Sequence, residues 1–158
     1  MVQNNLGNAY RELPGIDRAE SLQEAISCYS QALRFITHTN FPFDYAMIQN
    51  NMGYAYAVLP IGDRSSNLMQ AIHCYRSALT VYTRKTTPFD YATTQSNLGN
   101  VFRNLPTGDR ATNLKKAIAC YRRALRVHTP TTAPLDFAAT QNNLGNVYLD
   151  LRIGDREV

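Results

Sequence analysis

The chain has 158 residues, 44% hydrophobic and 18% charged, with a formal net charge of +4, a balance that excludes disordered and collagen-like classes and fits one soluble domain. No apolar run approaches the roughly 20 residues needed to cross a bilayer. The opening Met1-Val2-Gln3-Asn4 has neither the basic segment nor the apolar core of a signal peptide, so a cytoplasmic location is expected.

One stretch recurs along the chain. Gln49-Asn50-Asn51-Met52-Gly53 returns as Gln3-Asn4-Asn5-Leu6-Gly7, Gln95-Ser96-Asn97-Leu98-Gly99 and Gln141-Asn142-Asn143-Leu144-Gly145, a constant spacing of 46 residues. Residues 3–48, 49–94 and 95–140 align without a gap, and 18 of their 46 columns are identical in all three. The period is therefore a structural unit, with a partial fourth copy at 141–158. We expect a single repeat domain of about three and a half copies.

Each copy predicts two helices. The first starts near Pro42 or Asp44 and runs to Leu59, with Tyr45, Ile48, Met52, Ala55, Tyr56 and Leu59 as its core stripe. Ile48 is the weakest member of that stripe, because Thr94 and Thr140 occupy its column. Pro42-Phe43-Asp44, Pro88-Phe89-Asp90 and Pro134-Leu135-Asp136 place proline where a helix lacks an N–H partner anyway and a carboxylate near the positive end of the dipole. Pro60 and Gly62 mark the stop.

The second helix follows Gly62-Asp63-Arg64, Gly108-Asp109-Arg110 or Gly15-Ile16-Asp17-Arg18. Aspartate at this point caps the first free N–H groups, and Asp17 with Glu20 has capping-box spacing. Leu68, Ala71, Ile72, Tyr75, Ala78, Leu79 and Tyr82 then form an apolar stripe. Thr83-Arg84-Lys85-Thr86-Thr87 and its equivalents are the return loop. Counted this way the chain holds seven helices.

Leu-Gly-x-x-Tyr (Leu6-Gly7 to Tyr10, Met52-Gly53 to Tyr56, Leu98-Gly99 to Phe102, Leu144-Gly145 to Tyr148) followed by Ala-x-x-x-Tyr (Ala25 to Tyr29, Ala71 to Tyr75, Ala117 to Tyr121) resembles the tetratricopeptide repeat signature over essentially the whole chain. The departures are regular: Gln3, Gln49, Gln95 and Gln141 stand where the family has Trp, and the period exceeds the family's roughly 34 residues. The chain is most similar to the long Asn-Asn-Leu-Gly-Asn and Gly-Asp-Arg repeats of bacterial, especially cyanobacterial, multidomain proteins, whose arrays adjoin caspase-like peptidase (CHAT) or nucleotide-binding signalling domains. This resemblance implies an all-α fold, a right-handed α-solenoid of antiparallel helix pairs.

It also implies a function. In tetratricopeptide proteins the first helix of each repeat lines a concave groove, which places Asn50, Asn51 and Tyr54, then Asn97, Asn100 and Arg103, then Asn142, Asn143 and Asn146 toward a ligand, with Asn5 and Asn8 in the first copy. An asparagine amide offers an acceptor and two donors and so matches the backbone of an extended peptide. Kinesin light chain and the O-linked N-acetylglucosamine transferase use similar asparagine ladders, which carry over onto Asn5, Asn51, Asn97 and Asn143. The expected function is protein–protein interaction, with an extended peptide or partner helix bound in the groove. The alternatives left open are a structural or oligomerisation scaffold, or a regulatory array in a larger signalling or peptidase protein. The asparagine column equally suits hydrogen bonding between repeats, and Gln49, three residues before the buried position, suits that role better.

Other classes receive little support. Cys28, Cys74 and Cys120 share one column and read as small buried spacers, too far apart on stacked helices for a disulfide. His38, His73 and His128 fall in three different columns, so no ligand set repeats, and no catalytic, phosphate-binding or metal-binding pattern occurs. No enzyme activity, cofactor or metal is expected. The repeated Asp63-Arg64 could form an ion pair between repeats. The basic excess belongs to residues 95–140, at +5, with Lys115, Lys116, Arg122, Arg123 and Arg126 on one helix. A solvated face or an acidic partner explains these, and nucleic acid is disfavoured without interleaved aromatics. Both ends cut a repeat, so association through them is expected.

Overall fold

The computed structural model describes residues 18–154. Six helices and no strands occupy the described residues: α1 (Arg18–Ala32), α2 (Pro42–Val58), α3 (Arg64–Ala78), α4 (Pro88–Asn104), α5 (Arg110–Ala124) and α6 (Pro134–Gly154). The expected seventh helix, with Asn5, Asn8 and Tyr10, lies outside the described residues. The chain divides into two compact units, residues 1–81 and 82–158.

In the first unit α2 pairs most extensively with α3 and also packs on α1. Its core joins Leu22, Ala25, Tyr29 and Ala32 of α1 to Ile48 and Ala55 of α2 and the following Leu59, with Met52 and Val58 partly buried against them. In the second unit α4 pairs with α5, and α6 packs on α5 and to a lesser degree on α4. Consecutive helices within each unit thus pair as the apolar spacing requires, and the helix bounds repeat at the sequence period except at the end of α6.

The helix ends show how the recurring motifs work. Gly62 and Gly108 have φ of 78° and 79°, a left-handed conformation open to glycine and strained for other residues. The next residue caps: an Asp63 carboxylate oxygen accepts from the backbone N–H of Ser66 at 2.8 Å and from its hydroxyl at 2.6 Å, and Asp109 accepts from the Thr112 N–H at 2.6 Å. These hydrogen bonds hold both carboxyl groups below their usual range. The arginine turns back instead of pairing with that aspartate: Arg64 donates to the Ala57 carbonyl at 2.7 Å and Arg110 to the Arg103 carbonyl, so each closes the end of the preceding helix. Asn67 and Asn113 complete the turn by donating to the Ile61 and Thr107 carbonyls at 2.7 and 2.8 Å.

Return loops are equally uniform. The N–H of Phe41, Thr87 and Ala133 donates to the carbonyl of Thr37, Thr83 and Thr129, and the threonine hydroxyls of Thr37, Thr83 and Thr129 bond within the same turn. The prolines open α2 and α4 with no side-chain cap on either helix.

Three sequence expectations change. Ile48 is 2% exposed and Thr94 and Thr140 each 1%, so this column is fully core; the hydroxyls of Thr140 and Ser96 lie 3.3 Å apart, within hydrogen-bonding distance between α6 and α4. The first helix also buries a second face, Ala46 with Gln49 and Ala92 with Gln95, which the single apolar stripe did not reveal. Finally, α6 continues as helix through Gly154 instead of turning there. Arg152 stands in the column of Pro60 and Pro106, and the proline stop is missing.

His128 is 2% exposed, with neither ring nitrogen hydrogen-bonded. Its column holds Ile36 and Tyr82. Buried polar atoms without partners cost about 1–3 kcal/mol. His128→Ile is therefore expected to raise the unfolding free energy by about 1–3 kcal/mol, read as a higher urea midpoint with unchanged slope. A lower midpoint would show that the ring is bonded in solution.

Candidate functional site

The residues expected to meet a ligand lie on α2, α4 and α6. On α2, Asn50 and Asn51 are half-buried and Tyr54 is 39% exposed. On α4, Asn97, Asn100 and Arg103 are half-buried; on α6, Asn143 and Asn146 are half-buried and Asn142 is exposed. Asn5 and Asn8 lie outside the described residues. The asparagine column therefore keeps part of its surface accessible in each described copy, in contrast to Gln49 and Gln95, at 8% and 5%.

The second unit shows what surrounds these side chains. Tyr121 of α5 donates from its hydroxyl to Asn100 Oδ1 at 2.7 Å. Burial raises the pKa of that phenol, which the nearby Arg103 partly opposes. Asn100 is thus already engaged in joining α4 to α5. Arg103 Nε donates to Asp150 Oδ2 at 2.9 Å, and Arg110 reaches the same oxygen at 3.2 Å. Two guanidinium groups converge on one carboxylate and leave a local excess of positive charge. The pair is specific to this junction: the Arg103 column holds Arg11, Ala57 and Leu149 and the Asp150 column holds Glu12, Val58 and Asn104, so the equivalent positions pair Arg11 with Val58 and Ala57 with Asn104. Arg110 was not among the expected site residues; only its recurrence in Gly-Asp-Arg singled it out. An ion pair between copies does exist in this unit, between Arg110 and Asp150, not through the capping aspartate.

The basic residues of α5 are partly committed to structure. Lys116 lies over the Phe102 ring at 5.6 Å from its centre, and Arg122 donates to the Tyr148 hydroxyl at 2.8 Å. Lys115, Arg123 and Arg126 are exposed.

Cys28, Cys74 and Cys120 are buried and form no disulfide. Burial pushes the thiol of Cys74 up to about 12, and that of Cys28 upward with help from Glu24, so neither is a ready nucleophile. No group of His, Cys, Asp or Glu able to hold a metal occurs among the described residues, nor does a helix long and apolar enough to cross a membrane.

Comparisons with protein-family models, with curated proteins and with solved structures return no match.

Proposed function

We propose that the chain is a protein-interaction module of the tetratricopeptide type, an α-solenoid that takes an extended peptide or partner helix in the groove such repeats form. A cytoplasmic setting belongs to the same reading. The observation that supports it most is the accessible asparagine at one fixed place on each described first helix, Asn51, Asn97 and Asn143. An amide at this place offers an acceptor and two donors to a peptide backbone and is indifferent to its side chains. Variable neighbours, Tyr54 on α2 and the Arg103–Asp150 pair, would then supply selectivity.

Replacing Asn51, Asn97 and Asn143 together by alanine is expected to weaken peptides selected from a random library by roughly 0.5–1.5 kcal/mol per lost hydrogen bond, at an unchanged melting temperature. The Arg103–Asp150 pair, which joins the third copy to the fourth, favours a second reading, in which polar side chains hold repeats in register and the chain is a scaffold. A collapse of the melting transition in the triple variant would decide for the scaffold.

A further inference from the structure

One outward stripe of α2 is apolar where the matching stripes are polar. Phe43, Met47 and Tyr54 are 56%, 38% and 39% exposed, and spacings of four and seven residues align them on one side of the helix. The buried residues of α2, Ala46, Ile48, Gln49, Gly53 and Ala55, take up the packing against α1 and α3 on its other sides. On α4 the stripe positions hold Phe89, Thr93 and Asn100, and on α6 Leu135, Ala139 and Asn146. The fold therefore does not require methionine or tyrosine here. Tyr54 is the exception in its column, which holds Asn8, Asn100 and Asn146 in the other copies.

Charge and size narrow what can sit on this stripe. Asp44 is the one charged residue of α2, and at 3.6 residues per turn it lies about 100° from Phe43, off the stripe. At roughly 200 Å² per side chain, the three leave about 300 Å² open. A patch of that size on a monomer is often functional, yet it is far below the about 800 Å² per partner that a stable dimer buries. Asn50 is half-buried on the same side, between Met47 and Tyr54. An amide flanked by apolar side chains suits a peptide, whose polar backbone and apolar side chain arrive together, better than a lipid surface, which brings no backbone to meet it.

We propose that the Phe43–Met47–Tyr54 stripe of α2 is an anchor site for one large apolar side chain, leucine, methionine or phenylalanine, in an uncharged segment of the bound peptide. The side chain packs between Met47 and Tyr54. Met47 is unbranched and adapts to different shapes, so the site selects apolar bulk and not one residue type. The anchor rests on the peptide-binding reading above and adds the chemistry of the residue read at this copy.

The probes come from a random-sequence peptide library displayed on phage and panned on the whole chain, the selected peptides being resynthesised with a fluorescent label and titrated by anisotropy. They are expected to share a large apolar residue at one position. Its replacement by alanine should weaken binding to the unaltered chain by about tenfold or more, and hardly at all to the double variant Met47→Thr, Tyr54→Asn, which lacks the anchor. That variant carries the residues α4 holds at these positions and keeps its melting temperature; should it not, Tyr54→Asn alone serves in its place. Selected peptides without a shared apolar residue, or with one whose replacement costs as much on the variant as on the unaltered chain, overturn the anchor and leave the peptide-binding reading standing. Failure to select any peptide that binds saturably overturns both. Self-association that the double variant abolishes, without peptide binding, would assign the stripe to a second copy and likewise overturn the peptide anchor.

Discussion

Leu98→Ala is expected to lower the unfolding free energy by about 2–5 kcal/mol, measured by chemical denaturation. Leu98 is 4% exposed on α4, the helix that packs on both α5 and α6 in its unit. Removing its outer carbons loses their transfer free energy and leaves a cavity, which close packing on two sides prevents from collapsing. The loss should appear in full because a helix pair has no second core to fall back on. A change under about 1 kcal/mol would mean that α4 repacks around the shorter side chain.

Gly99→Ala is expected to destabilise by about 1–3 kcal/mol, although alanine is favoured over glycine in a helix interior by roughly 1 kcal/mol. The new methyl would stand 2.7 Å from Cε1 and 2.9 Å from Cδ1 of Tyr121, a ring that is 0% exposed and tied through its hydroxyl to Asn100. Such a ring cannot step aside without losing that bond or opening α4 from α5. The same substitution at Gly145 meets open space and should be neutral or stabilising by up to about 1 kcal/mol. Thermal melts of the two variants side by side check the contrast. Equal behaviour would show that glycine is kept at this column for a reason other than ring packing.

The pair of helices per copy was legible because local signals mark its ends: proline in the first turn of the first helix, and the left-handed glycine and capping aspartate ahead of the second. Each acts through its own backbone, so one sequence suffices to read it. Burial of the second face was not legible. Ala46, Gln49 and Gly53 are small or polar, and the Tyr75 ring arriving from α3 lies against Gly53; apolar periodicity weighs side chains by their own hydrophobicity and misses positions buried by a neighbour's bulk. The candidate site shows the same limit. The asparagine column could be counted from the period, whereas the engagement of Asn100 by Tyr121, or of Arg103 by Asp150, depends on distances between helices 21 and 47 residues apart in sequence. The overrun of α6 had its signal in plain view, since Arg152 replaces a proline, but the repeat itself argued for a turn.

The three cysteines give the molecule an internal set of reporters. Each sits buried in the second helix of its copy, outside any disulfide, and burial keeps the thiols of Cys28 and Cys74 protonated near neutral pH. A thiolate-directed reagent can label such a side chain only when its surroundings open, so the labelling rate at low reagent measures how often that opening occurs. Cys28, Cys74 and Cys120 would each record the breathing of a different copy, in the unmodified chain and with no probe added to it.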